Sequence, residues 1–292
     1  QRRWREMVKV GVHVSIAGSI DQAIDRAHAK GCDLFQMFSR NPRGWAYKPL
    51  SDAECSAFHQ KVAGTGLLPV DHMPYLPNLA SPKEEIYDKS VATLTAELER
   101  CGQLEVPYLV THLGHHLGDG IAGGRQRVIR AINTALSRID NRVVLLLENT
   151  AGEKNSVGSS FEHVRSIIDG ITAQDRIGVC FDTCHAFAAG YELRTDAGIG
   201  ETLRQFDELI GLFRLKAVHL NDSKGDLGSG LDRHEHIGMG FIGEAGFNRI
   251  LHRPEIRSLP LICETPVDER RDDEGNIRIV RQLAQAAPES KF

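Results

Sequence analysis

The chain has 292 residues, of which 41% are hydrophobic and 25% are charged, and its formal net charge is −4 at pH 7. This is the composition of a globular protein, and the charge taken at face value argues against a polybasic nucleic-acid binder. No apolar stretch approaches the roughly 18 residues that span a bilayer, which argues against a membrane protein.

The N-terminus is basic but lacks the apolar segment and cleavage site of a signal peptide. We expect residues 1–7 to be an N-terminal extension that reaches a natural start at Met7. Six cysteines are scattered, mostly within apolar runs, which is typical of small buried side chains in a reducing compartment. The sequence therefore predicts a cytoplasmic protein.

Strand-like and helix-like segments alternate along the chain. Eight apolar runs have the length of buried strands, and they cover Val8–His13, Leu34–Phe38, Leu67–His72, Tyr108–His112, Val143–Glu148, Ile177–Asp182, Leu215–His219 and Leu259–Glu264. Between them the sequence predicts helices at Ser19–Lys30, Ser51–Gly64 with a capping box, Pro82–Leu104, Gly124–Arg138, Phe161–Ile171, Thr202–Phe213 and Gly243–Leu251.

Eight such units over this length favour an α/β fold of one closed (β/α)8 TIM barrel, with a single catalytic domain over residues 1–292. A doubly wound open sheet is the alternative architecture. It would gather a ligand at one switch point between two strands, and it would not bring many strand ends together.

Seven of the eight runs end on a His, Glu or Asp, namely His13, His72, His112, Glu148, Asp182, His219 and Glu264. Unpaired ionisable groups are costly to bury, so packing alone does not explain this repetition. Because the active site of a TIM barrel lies at the carboxyl ends of its strands, these residues predict one site there.

Two further clusters contain side chains of the same types. His185 follows Asp182 by three residues, and Asp232 and His234 lie two apart in a predicted extended loop. The full set of metal-ligand candidates is His72, His112, Glu148, Asp182, His185, His219, Asp232, His234 and Glu264. Nine ligands without a thiolate suit two or three ions of zinc, manganese or cobalt better than magnesium or calcium.

A carboxylate such as Glu148 could bridge two of these ions, an arrangement that suits phosphoester chemistry. Metal ions can make hydroxide available at neutral pH, so no serine or cysteine nucleophile is required. The segment GMGFIG at 238–243 matches a dinucleotide-binding pattern by letters, but it does not open the helix after a first strand. We therefore expect no nucleotide cofactor.

The sequence resembles the endonuclease IV family of abasic-site endonucleases. The resemblance rests on ENTAG at 148–152 and FDTCHAFAAGYELRT at 181–195. It extends through GVHVSIAGS at 11–19, HMPYLPNLASP at 72–82, VHLNDSK at 218–224, DRHEHIGMGFIG at 232–243 and ETP at 264–266, and so covers essentially the whole chain after Met7.

The resemblance implies a TIM barrel with three zinc ions, of which one site could take Mn²⁺. It groups His72, His112 and Glu148 at the first ion, Glu148, Asp182, His219 and Glu264 at the second, and His185, Asp232 and His234 at the third. Glu148, Asp182 and Glu264 would then be the catalytic carboxylates.

The reaction implied is hydrolysis of the phosphodiester 5′ to an abasic site in double-stranded DNA, which leaves a 3′-hydroxyl and a 5′-deoxyribose phosphate, with additional trimming of 3′ ends. By the same resemblance Tyr75 and Leu76 would enter the DNA and Arg43 would be inserted beside them. His13 would hydrogen-bond to the substrate or to a metal ligand. The expected state is a monomer that bends DNA.

Two alternatives stay open at this point. A sugar isomerase could be built on a similar metal barrel, although such sites use mainly carboxylates. A metal-dependent protein that binds damaged DNA without cleaving it would not need a bridging carboxylate.

Overall fold

The computed structural model describes residues 7–289 as a closed barrel of eight parallel strands. The barrel strands are β1 (Val10–His13), β2 (Leu34–Met37), β3 (Leu68–His72), β4 (Tyr108–Thr111), β5 (Val144–Glu148), β6 (Ile177–Asp182), β7 (Leu215–His219) and β10 (Leu261–Cys263). Each pairs with its neighbours along the chain, and β10 closes the ring against β1. The predicted (β/α)8 architecture is confirmed.

The helices are α1 (Gln22–Ala29), α2 (Asp52–Thr65), α3 (Glu84–Gln103), α4 (Ile121–Arg138), α5 (Phe161–Asp169), α6 (Thr183–Ala188), α7 (Asp196–Leu209), α8 (Gly243–Leu251), α9 (Pro254–Arg257) and α10 (Asp273–Gln285). The capping box predicted at the start of α2 is present between Ser51 and Glu54. Within the described residues, no helix is both long and apolar enough to cross a membrane.

Several helix boundaries differ from the prediction. Helix α7 begins six residues before Thr202 because the Thr195 hydroxyl caps it, accepting from the Gly198 N–H at 3.0 Å. Helices α6, α9 and α10 were not predicted, and the loop around His234 contains a short hairpin of β8 (Asp222–Ser223) and β9 (His234–Glu235). The predicted extension over residues 1–7 lies outside the described residues except for Met7.

The strands alternate between two packing layers, as their two-residue period requires. One set of side chains fills the barrel interior, and it comprises Leu34, Val70, Val110, Leu146, Cys180, Ala217 and Ile262. The intervening residues, such as Phe35 and Leu147, face the surrounding helices in the larger apolar core. The interior layer is fully buried, so the space above it at the carboxyl end is a separate layer of side chains.

Strand β1 contributes a glycine to the same position of the interior. A Cβ on Gly11 would lie 1.7 Å from the Leu34 carbonyl oxygen of the adjacent strand. Only glycine therefore permits this close approach of β1 and β2, and the approach places His13 directly opposite Gln36 in the register.

Candidate metal centre

Each barrel strand contributes one polar side chain to a layer at the carboxyl end of the barrel. In every strand this residue follows the interior-facing residue by two positions, and the eight are His13, Gln36, His72, His112, Glu148, Asp182, His219 and Glu264. We call this set the polar layer. The seven strand-ending residues predicted from the sequence are all in it, and Gln36 is the eighth.

Three more ligand candidates reach the polar layer from elements outside the barrel strands. Asp182 caps helix α6 by accepting from the His185 N–H at 2.8 Å, which turns the His185 side chain back toward the site. Asp232 and His234 approach on the β8–β9 hairpin, where His234 pairs with Ser223. His185 Nε2 lies 2.9 Å from Asp232 Oδ1, so the helix and the hairpin meet at the site.

The nine ligand candidates form three groups, each with its ligand atoms within 4.8 Å of one another. The groups are His72, His112 and Glu148; Glu148, Asp182, His219 and Glu264; and His185, Asp232 and His234. A further combination of Asp182, Cys184 and His234 meets the same limit. Burial raises the pKa of the Cys184 thiol, which disfavours the thiolate that a metal would require.

Glu148 belongs to two groups because its two oxygens face different neighbours. Oε2 lies 3.2 Å from His72 Nε2 and 3.1 Å from His112 Nε2. Oε1 lies 3.2 Å from His219 Nδ1. A carboxylate placed in this way is suited to bridge two cations.

The charges of the site are arranged for cations. Burial alone would raise the pKa of Glu148, but the imidazoles of His112 and His219 hold it well below its ordinary value. In the same way, burial of Glu264 is outweighed by His219 and its neighbours, which lower the Glu264 pKa to about 2. Burial also opposes the charged form of His185, but Asp182 and Asp232 raise its pKa well above the ordinary value. Ionised Glu148 and Glu264 therefore lie beside protonated imidazoles, whereas burial raises the pKa of Asp182, and metal ions could replace the imidazole protons.

Two buried atoms at the centre of the site, Glu148 Oε1 and His219 Nδ1, lie 3.2 Å apart, but neither makes a hydrogen bond of good geometry to any described residue. Burying a polar atom without a hydrogen-bond partner costs free energy, and folded proteins rarely do so unless a bound group completes the site. Both atoms are ligand types for zinc. The residues present therefore fit a metal cluster.

Three of the imidazoles are oriented by backbone carbonyls. His72 Nδ1 lies 2.7 Å from the Met73 oxygen, His185 Nδ1 lies 2.8 Å from the Asn149 oxygen, and His234 Nδ1 lies 2.9 Å from the Glu264 oxygen. Each carbonyl can only accept, so each Nδ1 donates and leaves Nε2 for the site.

Three residues that hold the ligands were not found from the sequence. Asn149 exchanges hydrogen bonds with the backbone of Asp182 at 2.8 and 3.1 Å. Asn221 donates to Asp182 Oδ2 at 3.0 Å and accepts from the Glu264 N–H at 2.8 Å. Gln36 contacts both Glu264 and His219. Gln36 could have been predicted from the sequence, because it is the one polar residue in the otherwise apolar run LFQMF at 34–38.

The cavity above the polar layer has a volume of about 330 Å³ and is lined by ligand candidates together with His13, Phe38, Tyr75 and Thr265. Burial lowers the pKa of His13 to about 4, so this imidazole is neutral near pH 7. The Tyr75 ring packs edge-on against Phe38 at 4.9 Å between centroids. Two of the candidate DNA-contacting residues, His13 and Tyr75, thus border the same cavity as the ligand candidates.

Tyr75 and Leu76 lie at the rim with 62% and 39% of their surface exposed. The Tyr75 N–H donates to the Pro42 oxygen at 3.0 Å, which joins this loop to the loop of the exposed Arg43. Large exposed apolar groups on a fixed loop suit insertion into a base stack. The structure brings the three residues to one edge of the site, while their contact with DNA stays a prediction.

Comparison with known proteins relates both the sequence and the fold to one group. Residues 24–287 match the family described as xylose isomerase-like TIM barrel. A protein of Methanoculleus marisnigri named "Probable endonuclease 4" is 62% identical over 282 residues, which cover 96% of this chain and 100% of that protein. The crystal structure of endonuclease IV from Thermus thermophilus superposes with a TM-score of 0.85 at 38% identity, covering 96% of this chain and 100% of the other.

A D-tagatose 3-epimerase-like protein also superposes, with a TM-score of 0.70 over 94% of this chain and 96% of the other. Its identity to this chain is 19%, so this likeness shows the barrel fold alone.

Proposed function

The chain belongs to the xylose isomerase-like TIM barrels and, among them, to the endonuclease 4 family, and on this premise we propose that it is a metal-dependent endonuclease that cleaves DNA 5′ to abasic sites. In this reaction water adds to the phosphorus and the 3′ oxygen leaves with a proton. The products are a 3′-hydroxyl and a 5′-deoxyribose phosphate, and the same chemistry would trim blocked 3′ ends.

The observation that carries this proposal is the assembly of nine ligand candidates into three groups, two of which share Glu148, in a chain that is 62% identical over 96% of its length to a protein named "Probable endonuclease 4". A single ion has too few coordination positions for nine ligands. A carboxylate shared between ions is the arrangement used to stabilise both the attacking and the leaving oxygen of a phosphoester.

We assign one Zn²⁺ ion to each of the three groups, with Mn²⁺ as the alternative at one of them. The first ion would be held by His72, His112 and Glu148, and the third by His185, Asp232 and His234. The second would be held by Glu148, Asp182, His219 and Glu264. The imidazole and carboxylate donors suit these metals. When bound, such ions polarise a phosphate and lower the pKa of water to about 7. Glu148, Asp182 and Glu264 supply the negative charge that holds them.

The chain itself supplies recognition of the lesion. An abasic nucleotide has no base to unpair or unstack, so rotating it out of the helix costs less than the few kcal/mol of an intact nucleotide. Tyr75 and Leu76 would fill the gap left in the stack, and Arg43 would be inserted beside them. The neutral His13 borders the cavity and would hydrogen-bond to the displaced group.

The test is incision of a duplex that carries one tetrahydrofuran analogue of an abasic site, with metal content determined on the same sample. We expect a single cut on the 5′ side, a product end that a polymerase extends, and about three zinc ions per chain. The intact duplex should not be cut, and chelator treatment should abolish cleavage until zinc is restored. Bound metal without incision of either duplex would overturn the proposed reaction.

The sugar isomerase alternative rests on the barrel alone, since the epimerase-like neighbour shares only 19% identity with this chain. The monomeric state and the cytoplasmic location stay predictions. Size-exclusion chromatography with light scattering tests the first, and fractionation of cells tests the second.

A further inference from the structure

Gln36 is the only amide in the polar layer, and its side chain is completely buried. The other strands place an imidazole or a carboxylate at the equivalent position, each of which has a proposed role at the metals or in the cavity. Gln36 is therefore a neutral group among charged ones. Its three side-chain contacts, with Glu264, His219 and His13, indicate its role.

The contact with Glu264 fixes which way the amide points. Gln36 Nε2 lies 2.8 Å from Glu264 Oε1. An ionised carboxylate only accepts hydrogen bonds, so the NH₂ group of Gln36 must face Glu264. The carbonyl oxygen of the same amide therefore faces the other way.

That oxygen fixes the proton of His219. Gln36 Oε1 lies 2.6 Å from His219 Nε2, and since a carbonyl oxygen only accepts, Nε2 carries the proton. His219 Nδ1 is then the nitrogen left for the site, 3.0 Å from Glu264 Oε2 and 3.2 Å from Glu148 Oε1. His219 is thus oriented oppositely to His72, His185 and His234, whose Nδ1 atoms are held by backbone carbonyls.

The second N–H of the amide fixes the proton of His13. Gln36 Nε2 lies 3.0 Å from His13 Nδ1, which must accept because the amide nitrogen only donates. A neutral His13 then carries its proton on Nε2. Because His13 lines the cavity, it offers an N–H donor there for a substrate oxygen.

We propose that Gln36 is a positioning residue that sets two histidines in opposite tautomers, leaving His219 Nδ1 free for a metal ion and giving His13 an Nε2 proton for the substrate. One amide can do this because its oxygen and its nitrogen act on different rings. The His219 half requires only that the site binds metal, and the His13 half rests on the proposed function.

The direct test reads the tautomers in the unsubstituted protein and uses variants only to assign the signals. Long-range ¹H–¹⁵N correlation spectra of the zinc-loaded protein with ¹⁵N-labelled histidine report which ring nitrogen carries hydrogen, and the Gln36→Met and His219→Ala variants assign the signals. We expect His219 to be protonated at Nε2 and His13 at Nε2. A His219 protonated at Nδ1, or a His13 protonated at Nδ1, would overturn the proposal.

The second test removes the amide and keeps the bulk with Gln36→Met, and Gln205→Met on the surface of α7 is the matched control. Loss of an outer hydrogen bond to a metal ligand weakens metal retention by about 10–100-fold, so we expect faster release of one zinc ion to a chelator in Gln36→Met only. Wild-type retention in a variant that melts like the wild type would contradict the His219 half.

The His13 half is tested with a double-mutant cycle of Gln36→Met and His13→Ala, measured with all metals loaded. If Gln36 acts through His13, the increase in KM for the abasic duplex should be no larger in the double variant than in His13→Ala. Additive effects would contradict that half. If the wild type fails to cut DNA, the spectra and the chelator experiment still decide the His219 half, so the two failures are distinguishable.

Discussion

At the residue scale, the proposed metal site depends on which oxygen or nitrogen of each side chain faces it, and not only on which residues are present. The two oxygens of Glu148 lie against different ligand groups, and His219 presents the opposite nitrogen from three other histidines. Changes that preserve size but alter charge or donor capacity should therefore be informative at this site, because they leave the packing of the barrel intact.

Glu264→Gln is expected to lose most turnover while it keeps binding of abasic DNA. The change removes one negative charge from the group of Glu148, Asp182 and His219, whereas the exposed Tyr75 and Arg43 are untouched. We expect a reduction in kcat of about 10²-fold or more, the usual cost of losing a preorganised electrostatic contact. Single-turnover incision and fluorescence anisotropy measure the two effects. Near-wild-type kcat would contradict the assignment of Glu264 as a ligand.

Asp71 makes a pH dependence of stability testable on the outer side of β3, opposite to the side chain of the neighbouring ligand candidate His72. It faces outward from β3, fully buried, and accepts from the Ser39 N–H at 2.9 Å. Burial and the nearby Glu97 carboxylate raise the pKa of Asp71 well above its ordinary value of 3.8. Its contribution to stability is thus fully present below that ordinary value and is lost as pH rises through the raised one.

We expect the wild type to lose unfolding free energy relative to Asp71→Asn, by on the order of 1 kcal/mol, between about pH 5 and about pH 8. Asparagine resembles the protonated carboxyl and does not titrate. Urea unfolding at both pH values gives the comparison, and Asp140→Asn at an exposed position is the control. Parallel pH profiles for Asp71→Asn and the wild type would mean that Asp71 is ionised throughout.

At the element scale, the loops after β2 and β3 act as one unit. The Tyr75 N–H is bonded to the Pro42 oxygen, and helix α3 holds the first loop from behind. Arg100 on α3 donates to Ser39 Oγ at 2.9 Å and to the Lys48 oxygen at 3.0 Å, so it contacts both ends of that loop. Rigid loops of this kind suit residues that must enter DNA in a fixed position.

Tyr75→Ala is expected to reduce the preference for abasic over intact duplex, by about 1–3 kcal/mol in binding, because its ring would no longer replace the missing base in the stack. The metal content should not change, since Tyr75 is not a ligand candidate. Competition binding with both duplexes measures the preference. Phe213→Ala, at an exposed aromatic residue before β7, is the control, and an unchanged preference in Tyr75→Ala would make Tyr75 a packing residue.

Arg100→Met is expected to destabilise the protein by about 3 kcal/mol, because it leaves the Ser39 and Lys48 oxygens without their donor and leaves the buried Glu97 with Arg40 as its remaining cation. The midpoint of urea unfolding at constant m-value measures the loss. Lys89→Met, which removes an exposed pair with Glu85 on the same helix, should cost less than about 1 kcal/mol. Equal effects of the two changes would mean that Arg100 is not part of a buried network.

At the scale of the whole molecule, the formal charge of −4 is at odds with a DNA substrate until the metals are counted. Three divalent ions would bring the sum to about +2 and concentrate positive charge at the carboxyl end of the barrel. The carboxylates that make the chain acidic are in part those that would hold these ions, so the acidic composition and the DNA substrate are compatible.

Binding of abasic duplex by the zinc-loaded protein is therefore expected to weaken on the order of 10–10³-fold between 50 and 200 mM salt, as release of ions from phosphates requires. The chelator-treated protein should bind more weakly at every salt concentration. Anisotropy titrations of both forms test this. A flat response of the loaded protein to salt would favour a small-molecule substrate.

The sequence by itself determined the barrel and predicted which residues gather at its carboxyl end, because ionisable residues are costly to bury and here seven strand-like runs each end on one. Because side chains alternate along a strand, the last residue of each run was predicted to point into the barrel at its carboxyl end. Helices α6, α9 and α10 escaped prediction, the first two because they are short, and the boundaries of α7 depended on a cap at Thr195.

Only the tertiary structure decided which atoms the ligand candidates present to one another, whereas from the sequence their grouping followed from the family resemblance and not from spacing. Residues such as Glu148, His185 and Asp232 are far apart in sequence, and they come within a few ångströms of one another only when the barrel closes and helix α6 and the β8–β9 hairpin fold over its carboxyl end. The role of Gln36 depends on the register of β1, β2, β7 and β10, since one amide meets His13, His219 and Glu264 only after the ring closes. The sequence shows which residues could bind a metal, because residue type decides that chemistry. Which atom of each residue donates or accepts depends on its neighbours in the folded structure.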